Sequence, residues 1–196
     1  HLDYVYTADL PAEPTASGTL FEAIDKWSGS KAALTADVIR DRAKQALREQ
    51  IRRGVQYIRT HVDICDPNLT ALHALLELRE ELRGVVDLQL VAFPQEGYYA
   101  YDGGAELVEE ALRQGADVVG GIPHFEFTRE DGVRSVQKAF ELAVRYDKLV
   151  DLHCDETDDE QSRFVEVVAA EAYRTGLGGR AAASHTCAMG SYSNAY

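Results

Sequence analysis

No stretch of these 196 residues stays apolar for the roughly 18 positions that a membrane-spanning helix requires, so no membrane partner is expected. The first residues also lack the basic-then-apolar pattern of a secretion signal. Basic side chains are scarce, with 20 Lys and Arg against 33 Asp and Glu and a formal charge of -13. Binding a nucleic acid polymer needs clustered Lys and Arg to displace counterions, and that class is excluded. Cysteine is limited to Cys65, Cys154 and Cys187, an odd and widely spaced set with no Cys-x-x-Cys. A disulfide framework and a Cys-rich zinc site are thereby disfavoured, and a reducing, cytoplasmic location is expected. Neither a Gly-x-Gly-x-x-Gly turn nor a Gly-x-x-x-x-Gly-Lys phosphate loop occurs. No segment is rich enough in Pro, Gly or Ser to act as a linker, so residues 1–196 are read as a single domain.

What is present is a regular alternation of helical and extended patterns. After a loop holding Pro11, Pro14, Ser17 and Gly18, a helix spans Thr19 to Lys31, with Leu20, Phe21, Ile24 and Trp27 at helical spacing. Thr35 caps a longer helix bearing Val38, Ile39, Ala43, Leu47 and Ile51, stopped by Gly54. Strands are expected at Val55 to Asp63, Val85 to Phe93, Ala116 to Pro123, Lys148 to His153 and Ala181 to His185. Between them lie a helix capped by Asn68, one around Leu107 to Leu112 ended by Gly115, one begun by Thr128, and one from Phe164 stopped by Gly176. A polar loop runs to Tyr196.

Polar residues close successive strands at Asp63, Gln95, His124, Glu156 and His185, spaced 32, 29, 32 and 29 apart. A period near 30 is that of a βαβ unit, and repeated right-handed crossovers give either a doubly wound sheet or a barrel. With no dinucleotide fingerprint, the expected class is α/β, a partial (β/α)8 TIM-type barrel of about five parallel strands with flanking helices. A full barrel takes about 250 residues and eight strands, so this chain reads as the central part of one.

Chemistry in such folds gathers at the carboxyl ends of the strands. Strand alternation turns Asp151 and His153 toward the barrel interior and Val150 and Leu152 toward the helices. A neutral imidazole at His153 suits a catalytic divalent metal, and Glu156, three residues on, could move protons beside it without ligating it. His185 follows small residues and is read as either a ligand or a donor behind the ligands. Gln95 offers one acceptor and two donors on a loop bounded by Pro94 and Gly97, which suits the amide-like edge of a pyrimidine or purine. His61 and His124 are weaker candidates, and His73 reads as a helix-surface residue.

Four segments carry a family resemblance: Val91-Ala92-Phe93-Pro94-Gln95-Glu96-Gly97, Gly120 to Arg129, Asp151 to Arg163, and Ser184-His185-Thr186. Together they resemble the bacterial cytosine deaminases of the amidohydrolase superfamily, with similarity running from His1 to Tyr196. The resemblance implies a distorted eight-stranded barrel with one divalent metal ion, iron or zinc. In that family a His-x-His pair on the first strand, a His on the fifth and an Asp on the eighth hold the metal. By position, His153 resembles the fifth-strand ligand and His1 the second histidine of the pair. His185 resembles the sixth-strand histidine that contacts the attacking water, Glu156 the proton-shuttling acid, and Gln95 the residue that reads the pyrimidine edge. The first histidine of the pair and the eighth-strand Asp fall outside these residues.

The implied reaction is hydrolytic deamination of cytosine, a small nucleobase, to uracil and ammonia in pyrimidine salvage. Alternatives are another ring (a triazine, isoguanine, a pterin or an oxidised pyrimidine) or a fragment without activity of its own. Five staves leave two open strand edges, so a homo-oligomer or packing against another chain is expected.

Overall fold

A computed structural model describes residues 1–6 and 15–195. Pro11, Pro14 and Tyr196, in the two expected loops, lie outside the described residues. Two helices come first, α1 (Leu20–Lys31) and α2 (Ala36–Arg52). Then follow β1 (Tyr57–Asp63), α3 (Thr70–Glu81), β2 (Asp87–Phe93), α4 (Gly104–Arg113) and β3 (Val118–Gly121). The chain continues through α5 (Arg129–Tyr146), β4 (Leu149–Cys154), α6 (Phe164–Thr175) and β5 (Ala181–His185). The five strands lie side by side in chain order, every neighbouring pair parallel, and curve into a half-barrel with flanking helices.

The helix starts show how local chemistry sets these boundaries. Thr19, Thr35 and Thr128 each accept a hydrogen bond from a first-turn N–H, from Glu22, Val38 and Asp131 respectively. Asn68 does not do this for α3. Asp66 takes the role instead, its carboxylate accepting the N–H groups of Asn68 at 3.0 Å and Thr70 at 2.9 Å. An ionised acceptor makes the stronger bond, and Leu69 is left as the flanking residue in a left-handed conformation with φ 49°. The third strand is shorter than its apolar pattern suggests. Pro123 has no N–H to give a ladder, and the chain turns there into a short 3-10 segment, Pro123–Phe125.

The core sits between the convex face of the sheet and the helices, where Leu72, Leu75, Leu90, Phe140, Leu142 and Leu152 are fully buried. Val150 and Leu152 belong to it, as strand alternation requires. At one point the packing leaves no room for a side chain. A Cβ on Gly132 of α5 would lie 2.5 Å from both the Phe164 ring at the start of α6 and the Pro123 carbonyl. This contact fixes the turn that carries His124. Gly132→Ala should therefore destabilise the fold by about 1–3 kcal/mol through overpacking, measured by denaturant unfolding. Unchanged stability would contradict the contact.

Candidate metal centre and active site

Four imidazoles gather at the carboxyl ends of the strands. His1 Nε2 and His153 Nε2 approach to 3.1 Å. The His153 ring centre lies 4.2 Å from that of His61 and 4.5 Å from that of His185. One ring nitrogen from each of His1, His61 and His153 falls within 4.8 Å of the other two. His61 was the weaker candidate in sequence, two residues short of the strand end. The signal for it was parity: it shares the interior face of β1 with Asp63, as His153 shares that of β4 with Asp151.

Electrostatics keep the central ring, His153, uncharged. Burial, then the neighbouring His61 and His185, push the His153 imidazole down to about 2, so it is neutral with lone pairs available. Asp151, beneath it, is buried, but contacts from His61, Ser184 and Arg59 outweigh burial and hold its carboxyl below the usual range. Ser184 Oγ donates to it at 2.7 Å and Arg59 Nη1 at 2.8 Å, while His61 Nε2 stands 3.7 Å away. His1 Nδ1, His61 Nε2 and His153 Nδ1 are buried with no hydrogen-bond partner among the described residues. Buried ring nitrogens with unmet bonding capacity are a costly arrangement alone. They fit a divalent transition metal, and this chemistry of the donor set makes the cluster a candidate metal centre.

Beside the cluster is a cavity of about 230 Å³. His1, His153, Glu156, His185 and Gln95, the five residues singled out in sequence, all line it. Glu156 Oε1 lies 3.5 Å from His185 Nδ1. Burial raises the Glu156 carboxyl, with His185 opposing the shift. Its aim is set by the preceding residue. Asp155 is fully buried at φ 51°, a left-handed conformation, and its carboxylate accepts from Ser162 Oγ (2.7 Å) and from the N–H groups of Phe164 and Val165 (2.9 Å each). His185 and Thr186 are left-handed too, at φ 70° and 50°. Such backbone costs energy and concentrates where a side chain must be aimed.

The opposite wall is one face of α1, formed by Leu20, Ala23, Ile24 and Trp27. The helix is tied down by polar contacts at its far end. Trp27 Nε1 donates to Asp63 at 2.8 Å, Ser28 Oγ to Glu96 at 2.9 Å, and Lys31 Nζ pairs with both Asp63 and Glu96. A wider hollow, about 770 Å³, lies at the amino ends of β1 and β2 around Arg59, Arg79, Asp87 and Gln89. In barrels that end serves stability, and the strand-end cavity is the one that holds the candidate chemistry. His124 does not line it. His73 is exposed and bonded to Gln114, as its helical position suggested.

The model of the amidohydrolase family matches residues 1–196, and the chain belongs to that family. A solved 5-methylcytosine deaminase from Klebsiella pneumoniae, liganded with phosphonocytosine, is 55% identical with a TM-score of 0.97, covering 100% of this chain and 48% of that one. N-isopropylammelide isopropyl amidohydrolase of Pseudomonas sp. (strain ADP) is 35% identical over 69% of this chain and 34% of its own length. Pterin deaminase of Rhizobium rhizogenes is 27% identical over 96% of this chain and 43% of its own. The chain thus spans less than half the length of each of these relatives.

His124 gives this region a pH signature. Both its ring nitrogens are buried without a partner among the described residues, and burial pushes it down from 6.5 to about 4. Between those values the unfolded chain binds the proton and the folded one does not, so stability falls as pH drops through that window. Thermal unfolding against pH should show this loss, and His124→Phe should make it shallower, the remainder belonging to His153. An unaltered profile in the variant would contradict the assignment.

Proposed function

We propose that these residues form part of a metal-dependent hydrolase that deaminates cytosine, or a close analogue such as 5-methylcytosine, releasing ammonia. The observation that carries this reading is the meeting of an imidazole cluster, a carboxylic acid and a free-standing amide in one small cavity. Glu156, His185 and Gln95 line that cavity together with His1 and His153. Its volume of about 230 Å³ is below the roughly 300–1,000 Å³ of drug-sized pockets, which suits a single heterocycle. The 55% identity to a protein named 5-methylcytosine deaminase supports the same substrate class.

His1 and His153 would hold one divalent ion, iron or zinc, with His61 as the third nitrogen within reach. When bound, such an ion supplies a water acidic enough to react at neutral pH. Glu156 takes a proton from the water as its oxygen adds to the ring carbon bearing the amine. It gives that proton to the ring nitrogen, then takes the second proton from the added hydroxyl and passes it to the amine, so that the carbonyl forms as the C–N bond breaks and ammonia leaves. A carboxyl raised by burial is suited to both directions of transfer. His185, 3.5 Å from Glu156, orients the water and hydrogen-bonds to the oxygen as charge builds on it. Gln95 pairs with the amide-like edge of the base and fixes which ring carbon faces the water. Asp151, held ionised by Arg59 and Ser184, fixes the polar floor behind His61 and His153.

This reading places the protein in pyrimidine salvage in the cytoplasm, with residues 1–196 as the central part of one barrel domain. Among the described strands β1 and β5 each pair on one side only, so the remaining staves or another copy of the chain would cover them. The relatives named for N-isopropylammelide and pterin supply the competing substrates.

The test is metal content and amine release (ammonia, or isopropylamine from the last substrate) by the full-length protein carrying this sequence, with cytosine, 5-methylcytosine, a pterin and N-isopropylammelide. Turnover of the two pyrimidines with about one metal per chain is expected, and a preference for the others, or no ammonia, would overturn the assignment. Glu156→Gln should abolish turnover with the metal retained, because the carboxylate carries protons and does not ligate; metal loss would show the role misassigned. Gln95→Ala should raise KM and lower kcat for cytosine, at a cost of about 0.5–1.5 kcal/mol for one lost hydrogen bond. Unchanged kinetics would count against base reading.

A further inference from the structure

The loop that carries Gln95 is held by a carboxylate from another part of the chain. Gln95 sits inside a tight turn closed by the Gly97 N–H donating to the Pro94 carbonyl at 2.9 Å. Immediately after the turn, three successive backbone N–H groups, those of Tyr98, Tyr99 and Ala100, point to one side chain. That side chain is Glu126, which accepts them at 2.6, 3.1 and 2.9 Å. Glu126 lies just past the 3-10 segment that follows β3, 9% exposed. Its burial raises the carboxyl, and the three N–H donors oppose the shift. Such charge-assisted bonds are roughly twice as strong as neutral ones, and three on one carboxylate form a backbone cradle. The fit is close: at Gly97, φ 94°, an added Cβ would stand 2.9 Å from Glu126 Oε2. The Tyr98 hydroxyl adds a fourth mooring to the Gly120 carbonyl of β3, at 2.8 Å.

Nothing in the proposed chemistry uses Glu126, and it does not line the cavity. The loop it holds is the one whose amide must meet the base in a single orientation. We propose that Glu126 is the positioning residue for Gln95, fixing the loop so that the amide presents its donors and acceptor to the substrate ring. This rests on the base-reading role of Gln95. It predicts that Glu126 acts on substrate recognition through Gln95 alone, and leaves the metal centre untouched. A shorter or neutral replacement loosens the loop by the fraction of an ångström that a directional amide contact cannot tolerate.

The test is a double-mutant cycle in the full-length protein, using Gln95→Ala, Glu126→Gln, Glu126→Asp and the two combinations with Gln95→Ala. Metal content, thermal midpoint, kcat and KM for cytosine would be measured for each. Glu126→Gln is expected to lower kcat/KM about tenfold, mostly through KM, with metal content unchanged. In the Gln95→Ala background the same change should have almost no further effect on kcat/KM, because the group it positions is gone. If Glu126→Gln does not fold, Glu126→Asp, which keeps the charge and shortens the reach, carries the same expectation. Losses that multiply in the double variant, or a single Glu126 variant with normal KM, would overturn the positioning role while leaving Gln95 as a base reader. Normal kinetics for Gln95→Ala alone would overturn the base-reading role and this proposal with it.

Discussion

The crowding of imidazoles around His153 is the constraint on which the rest of the site depends. With His1, His61 and His185 packed against it, a proton on the buried His153 ring loses its hydration and meets repulsion from His61 and His185. His153 therefore stays neutral, with a lone pair available. Neutral, converging nitrogens are a poor core and a good metal site. The buried Asp151 beside them keeps its charge because contacts from His61, Ser184 and Arg59 outweigh its burial. Charge is concentrated at Asp151 and its partners.

Around that centre the molecule uses two kinds of rigidity. The parallel strands align their carboxyl ends, so that side chains far apart in sequence arrive at one level. The loops beyond them are fixed by buried carboxylates, each serving several backbone N–H groups. Asp155 holds the start of α6 and so aims Glu156, and Glu126 holds the segment after Gln95. Over both lies α1, an apolar face toward the cavity and a polar end clamped by Asp63 and Glu96. The result is a small, half-apolar chamber with polar groups confined to one wall, which is how small-molecule sites obtain orientation from few contacts.

Much of this was readable in the sequence, because its signals are local and periodic. The five strands and their order follow from a spacing near 30, and the Thr35 cap and the helix start at Thr128 follow from their position before apolar stripes, whereas Thr19, read as the first helical residue, is itself a cap. Gln95, Glu156, His153 and His185 stand out in the sequence because they lie at or just past strand ends, and they line one cavity. Asn68 was misread as a cap because a carboxylate two residues earlier competes better for the same N–H groups, a choice that composition alone does not settle. His61 was underrated because it lies inside a strand, and only the inward curvature of the sheet brings it to His153. The helix α1 was recognised, but its place as the cavity's far wall depends on contacts to Asp63 and Glu96, 32 and 65 positions away from Lys31. Likewise nothing near Gln95 in sequence points to Glu126.

The most direct measurement is anomalous diffraction from crystals of the full-length protein, collected at the absorption edges of iron and zinc. One site per chain, bonded to the ring nitrogens of both His1 and His153 with Glu156 unligated beside it, is the predicted result. A metal bound elsewhere, or His1 and His153 contacting only each other in protein that carries stoichiometric metal, would contradict the assignment of this cluster as the catalytic centre.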